Sequence, residues 1–137
     1  MKKVCMIPAR LGSQRLKKKN LLTINNASIV KLCAEKCLKS SAFDEVYINS
    51  ESDVILDEAP RGCLKYKRSN KLADSKSTSE DFIRDFCSSI KADYLFQIHS
   101  IAPLITIQQI NSFVENFIKS SSSSSINIAA VPNVIRS

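Results

Sequence analysis

Residues Ile7 to Asn20 read I-P-A-R-L-G-S-Q-R-L-K-K-K-N, and they hold the side chains best suited to chemistry. A short apolar run, Val4-Cys5-Met6-Ile7, feeds a loop that carries Gly12, Ser13 and five cations: Arg10, Arg15, Lys17, Lys18 and Lys19. No Asp or Glu occurs before Glu35. A strand that opens into a cationic, glycine-containing loop is a seat for polyphosphate, because backbone N–H groups and fixed positive charge meet there. Neither G-x-G-x-x-G nor G-x-x-x-x-G-K-[ST] is present, so the dinucleotide and Walker-type readings lose their main support.

The elements that must position this loop alternate. Residues 3–9 read as a buried strand, 27–39 as a helix with Ile29, Leu32, Cys33 and Cys37 on one face, and Val46-Tyr47-Ile48 as a second buried strand. Ser50 is placed to cap a helix over 51–59, which Pro60 ends. Leu64 to Lys67 alternates like an edge strand. Ser77 with Glu80, and Thr106 with Gln109, have capping-box spacing ahead of two amphipathic helices. Tyr94 to Ile98 reads as a central strand and Ile126 to Val131 as a last one, after a run of serines at 120–125 that reads as a solvated linker. Strands alternating with helices predict an α/β fold in three layers, a mostly parallel sheet with helices on both faces and right-handed crossovers. Ligands of such sheets sit beyond the carboxyl ends of the strands. The loops 10–20, 68–79 and 99–106 would then share one rim.

Composition narrows the function further. The chain has 137 residues, enough for one domain. No apolar run approaches the ~18 residues of a membrane span, and the N-terminus lacks the pattern of a signal peptide, which predicts a cytoplasmic protein. The net charge of +7 is local: residues 1–34 hold eight cations and no acid, while the other twelve cations and thirteen acids nearly cancel. One patch favours a compact anion over a nucleic-acid track, and no aromatics interleave with it to stack bases. Cys5, Cys33, Cys37, Cys63 and Cys87 form no C-x-x-C, and with one histidine in the chain they read as reduced core residues rather than metal ligands.

The pattern I-P-A-R-x-G-S-x-R-L-x-x-K-N resembles the N-terminal signature of the acylneuraminate cytidylyltransferases, the CMP-sialic acid synthetases and their relatives. Three later segments match in the same order. Phe43 to Ser50 resembles the family's second strand, Lys67-Arg68 through Leu72-Ala73 to Ser77-Thr78-Ser79 its R-P-x-x-L-A-x-D-x-x-[ST]-S segment, and Ile98 to Leu104 its Q-P-T-S-P-L turn. The resemblance covers almost all of this chain and only the N-terminal part of the family's protein.

The resemblance implies a Rossmann-like nucleotidyltransferase fold, here truncated, with residues 1–137 as its nucleotide-binding part and the acceptor and dimerisation part absent. It implies transfer of CMP from CTP to an acidic nine-carbon sugar, with release of pyrophosphate and a requirement for Mg²⁺. Arg10 and Lys19 would contact the triphosphate and act as the catalytic cations, while Gly12 and Ser13 let the backbone approach it. Asn20, Arg68, Ser77 and Ser79 would hold cytosine and ribose. His99 falls at the family's glutamine position beside the nucleotide. The magnesium ligands would come mainly from CTP and from the absent part, with none assigned to this chain. Expected partners are CTP and the acidic sugar, with a homo-oligomer or a complementary chain, and neither membrane nor nucleic acid.

Plainer readings stand beside these. Lys17 and Lys18 read as solvated surface charge, Ser77 as a helix cap alone, Arg68 as a surface cation and His99 as a structural residue. The chain also departs from the family's pattern: Gln14 stands where lysine is usual, Ser75 where aspartate is, Ile105 where arginine is, and no proline follows Arg68. A non-catalytic nucleotide-binding protein, or one partner of a split enzyme, is the alternative.

Overall fold

A computed structural model describes residues 2–9, 23–24, 27–68, 79–99, 105–120 and 127–130. The elements run β1 (Lys3–Pro8), β2 (Thr23–Ile24), β3 (Ala27–Ser28), α1 (Ile29–Lys39), β4 (Glu45–Ser50), α2 (Asp53–Leu56), β5 (Leu64–Lys67), α3 (Ser79–Ser89), β6 (Tyr94–Gln97), α4 (Ile107–Ser120) and β7 (Asn127–Ala130). Five strands form one sheet in the order β5-β4-β1-β6-β7, and every pairing in it is parallel. The short β2 and β3 pair antiparallel on their own.

The central strands β1, β4 and β6 are buried on both faces, with side chains alternating between the two along each strand. Cys5, Ile7 and Ala9 of the β1 segment, with Val46 and Ile48 of β4, pack with Val30, Cys33, Ala34 and Cys37 of α1, Ile55 and Leu56 of α2 and Ile110 of α4. Val4 and Met6, with Tyr47 and Leu95, face the other way and meet Phe86, Ile83 and Ile90 at α3. Phe96 is the centre of a third cluster, with Phe43, Phe113 and Phe117 at 5.7–6.1 Å between ring centroids. Helices therefore cover both faces, as the alternation predicts.

The start of β1 is clamped from both sides. Asp93 accepts from Lys2 N–H at 2.6 Å and Asp44 accepts from Lys3 N–H at 2.7 Å. Each aspartate stands just ahead of the strand that flanks β1 on its side, so the register is set before the ladders begin.

Four local expectations change. The first helix starts at Ile29, because Ser28 is extended and its hydroxyl accepts from Lys31 N–H at 3.2 Å. The second helix spans only Asp53–Leu56 and is capped by Ser52, not Ser50. Ser50 still pairs with Lys67 as the end of β4, so its backbone is committed to the sheet. Ser120 ends α4, so the expected linker overlaps that helix at its first serine; residues 121–126 lie outside the described set. The fourth change concerns crossover hand. The chain steps from β1 to β4 in one direction and from β6 to β7 in the other, yet α1 and α4 pack on the same face and touch each other. Those two crossovers have opposite hands, so a uniform right-handed rule fails at one of them. Burial of Phe113 and Phe117 against Phe96 holds α4 on that face.

None of the five cysteines is in a disulfide; Cys5, Cys33 and Cys37 are buried together beneath α1 with Cys63 half-buried beside them. Burial pushes the Cys5 thiol up, and Cys63 up to about 11. A hydrogen bond to Cys37, then burial, pushes Cys33 well up. These thiols keep their protons in the folded chain, while an unfolded chain loses them near pH ~8.5. The stabilisation is therefore unchanged below that pH and falls as pH rises from about 9 towards 11. Thermal unfolding measured across that range should show a falling midpoint, with a shallower fall for Cys63→Ala. The same slope in wild type and Cys63→Ala would contradict the assignment.

Candidate functional site

The strand order places a switch point beside β1. The chain leaves β1 for β4 and β5 on one side, and later builds β6 and β7 on the other. At such a point the loops after adjacent strands part, which opens a crevice at the carboxyl ends. Here the two loops are those that follow Ala9 and His99.

Pro8 widens that opening. Backbone groups of even-numbered residues in the β1 segment bond to β6: Tyr94 N–H donates to Lys2 O at 3.0 Å, and Ile98 N–H to Met6 O at 3.0 Å. The next rung would need Pro8 N–H to donate to Ile98 O, and proline has no N–H. Pairing with β6 accordingly stops at Met6↔Gln97, while pairing with β4 reaches Pro8↔Asn49. Ala9 N–H still donates to Asn49 O at 2.9 Å, which holds the exit of β1 to β4. The seam with β4 keeps its next rung and the seam with β6 lacks one, and the cationic segment begins at the next residue, Arg10.

Four polar side chains converge on the α3 face of this rim. By alternation Asn49 follows Tyr47, Arg68 follows Tyr66, and Gln97 and His99 follow Leu95, all on the side where α3 packs. Asn49 is 0% exposed, Gln97 2% and Arg68 4%, and His99 is half-buried. Arg68 is thus not the surface cation of the plainer reading. That role falls to Lys67, whose ammonium pairs with Asp53 at 3.0 Å in solvent. The backbone N–H of Arg68 is held by Ser50 O at 2.9 Å, so the residue that carries this buried guanidinium is anchored beside the end of β4.

Asn49 and Gln97 each carry one buried polar atom with no partner among the described residues. Asn49 Nδ2 donates to Met6 Sδ at 3.3 Å, and its Oδ1 has no donor. Gln97 Nε2 has no acceptor. A dry, unmet polar atom costs about 1–3 kcal/mol, so two beside an open seam call for a reason.

Of the residues expected at the site, Arg10, Gly12, Ser13, Lys19, Asn20 and Ser77 lie outside the described set. What is described is their anchorage: Ala9 precedes Arg10 at the end of β1, and Ser79 opens α3. Because α3 joins parallel strands, its N-terminus lies at the same rim, with its partial positive charge towards it. Arg68, Ser79 and His99 therefore lie along one rim. Sequence reasoning passed over Gln97 and Asn49. The resemblance put His99 at the glutamine position, yet an actual glutamine, Gln97, occupies the buried end of β6 two residues earlier. The signal was available in both cases: a polar residue continuing an otherwise apolar buried strand.

Two hollows lie elsewhere among the described residues. One of about 380 Å³, lined by Lys2, Cys87, Ile90, Lys91, Ala92 and Asp93, is at the amino ends of the strands, the wrong rim for this fold. The other is an open surface of α4 around Gln108 and Ser112. Among the described residues no three His, Cys, Asp or Glu side chains gather as a metal site, and no helix is long and apolar enough to cross a membrane.

Sheet order, crevice and helices on both faces define a Rossmann-like α/β domain of nucleotidyltransferase type. The sequence model of the family described as Cytidylyltransferase matches residues 4–134, and the chain belongs to that family. It is 27% identical over 129 residues to a pseudaminic acid cytidylyltransferase of Campylobacter jejuni, covering 89% of this chain and 56% of that one. It is 28% identical over 99 residues to an N-acylneuraminate cytidylyltransferase of Streptococcus agalactiae, covering 70% of this chain and 24% of that one. The chain thus spans about half the length of the first relative, and less of the second. In fold it is similar to a CMP:2-keto-3-deoxy-manno-octonic acid synthetase solved with CTP, with a TM-score of 0.77 at 21% identity over 88% of this chain and 48% of that one.

The open seam predicts a specific variant. Pro8→Ala restores an N–H facing Ile98 O and extends the β1–β6 ladder by one rung. Thermal unfolding should show a gain of up to about 1 kcal/mol, the net worth of one hydrogen bond. Titration calorimetry should show CTP affinity reduced severalfold. Unchanged affinity alongside a stabilised fold would mean that the seam does not shape the site.

Proposed function

We propose that this chain is the nucleotide-binding part of an enzyme that transfers CMP from CTP to an acidic sugar of the sialic or pseudaminic acid kind. The family match through residues 4–134 carries this reading, since it takes in both the loop after β1 and the buried polar corner opposite it. The acceptor's anomeric hydroxyl attacks the α-phosphorus; an O–P bond forms, the bond to the β-phosphate oxygen breaks, pyrophosphate leaves and the hydroxyl proton passes to solvent or base. Such transfers depend on positioning and on charge neutralisation more than on a protein nucleophile. Arg10 and Lys19 supply that charge, and Gly12 and Ser13 supply backbone N–H groups close to the phosphates. Asn20, Arg68, Ser77 and Ser79 hold the nucleoside, with Gln97 beneath it and His99 at its edge.

Mg²⁺ belongs with this reading as a companion of the triphosphate. Among the described residues no carboxylates cluster for it, and phosphate oxygens of CTP would be its main ligands here, with the rest from further protein. The same lack of carboxylates favours the alternative that the chain binds nucleotide and completes its site with further protein, from a second copy or a complementary chain. We place it in the cytoplasm, where CTP is made.

Calorimetric titration with CTP and Mg²⁺ tests the binding claim, and pyrophosphate release with an acidic sugar tests turnover. Arg10→Ala and Lys19→Ala should each lose about 1.5–3 kcal/mol of CTP affinity, the worth of a hydrogen bond to a charged group. Lys18→Ala should change it little. Equal small losses at all three positions would point to a diffuse charge patch, and no binding at millimolar CTP would remove the reading.

A further inference from the structure

The connection 69–78 has to join β5 to α3, and one side chain ties those two elements together. Tyr66 lies on β5, half-buried on the face that α3 covers, where its ring meets Phe86 edge-on at 5.0 Å between centroids. Its hydroxyl reaches Asp85 Oδ2 at 3.0 Å, Asp85 O at 3.1 Å and Ser89 Oγ at 3.3 Å, all on the helix. A phenol has one hydrogen to donate, which goes to Asp85, and it accepts from the Ser89 hydroxyl. Burial, ahead of the Asp85 contact, raises the phenol above its usual pKa, so it keeps that hydrogen at neutral pH.

This tie does what apolar packing does not. Phe86, Ile83 and Ile90 hold α3 against Val4, Met6, Tyr47 and Leu95. Such burial has no direction, so a helix held by it alone slides or turns at little cost. Hydrogen bonds have direction. Asp85 and Ser89 are four residues apart on one helix face, so bonds to both fix α3 along its axis and about it. The strand gains as well: among the described residues β5 pairs with β4 alone, and Tyr66 ties it to a second element.

From the tie, both elements run to the carboxyl rim. Arg68 is two residues beyond Tyr66, about 6.6 Å along the strand. Ser79 is six residues before Asp85, about 9 Å along the helix. These are two of the residues that the CTP reading gives to the nucleoside, one at each end of the connection.

We infer that Tyr66 is a positioning residue, whose hydroxyl sets α3 against β5 so that Arg68 and Ser79 are spaced for one nucleoside. This deepens the CTP reading and rests on it. Tyr66→Phe removes the hydroxyl and keeps the ring. Ser88→Ala is the control: it removes a bond within α3, from Ser88 Oγ to Asp85 O at 2.6 Å, and leaves the tie whole. Calorimetric titration of the 137-residue chain with CTP, well below each unfolding midpoint, should show Tyr66→Phe weakened about fivefold and Ser88→Ala within about twofold of wild type. Should Tyr66→Phe fail to fold by circular dichroism, Asp85→Ala combined with Ser89→Ala, which withdraws both side-chain partners, carries the same expectation. A merely structural Tyr66 would lower the unfolding midpoint and leave CTP affinity where it was. That result, or an equal loss of affinity in Ser88→Ala, overturns the inference while the CTP reading stands. A wild-type chain that does not bind CTP overturns both.

Discussion

A missing hydrogen bond donor organises this molecule. β1 lies at the centre of the sheet, paired on both sides, with its first residues clamped by Asp44 and Asp93. At Pro8 the ladder to β6 loses its next rung while the ladder to β4 continues. The strand therefore ends asymmetrically, held to one neighbour and released from the other, at the place where strand order reverses. A parallel sheet has a crevice there in any case; the proline makes it begin a residue earlier and directs the chain from Ala9 into the cationic segment. The phosphate-binding residues of the proposed site are a consequence of where that segment starts.

The polar corner opposite the opening follows from the same geometry. Residues at the carboxyl ends of β4, β5 and β6 would be core if the seam were closed. Asn49, Arg68 and Gln97 are buried at those ends, and the fold carries polar atoms there that an apolar core would not tolerate. Stability is made up elsewhere, in the aromatic cluster around Phe96 and the packing of Tyr47, Tyr66 and Phe86. The two sides of the proposed site differ in kind: the segment after Ala9 is rich in lysine and arginine, and the other side is a set of amide and guanidinium groups on strand ends. That division suits a nucleotide, whose phosphates need charge and whose base needs fixed directions.

Much of the fold is written locally and could be read so. Thr106 and Gln109 form the expected reciprocal box at 2.8 and 3.0 Å, because both bonds lie within one turn. The buried strands, the edge position of β5 and the helix faces follow from periodicity alone. What was not legible depends on partners distant in sequence. Ser50 and Ser52 are equal as caps until β4 is seen to pair through Ser50 with β5. The β2–β3 pair is two residues long on each side, too short for any pattern to register. The hand of the β6-α4-β7 step is set by aromatic contacts between α4 and Phe96. For the site, the residue types and spacing after β1 single out that segment, which lies outside the described residues, whereas Gln97 and Asn49 look like ordinary strand residues until burial and missing partners mark them out.

The central claim is that a cytidine nucleotide seats at the opened β1–β6 seam. Amide chemical shifts of the isotopically labelled chain, followed during CTP addition, test it most directly. The account predicts saturable shifts at the backbone of Ala9 and Arg68 and at the side-chain amides of Asn49 and Gln97, with Lys2, Cys87 and Asp93 at the far rim unmoved. Shifts confined to the far rim, or spread evenly over surface lysines, would contradict it.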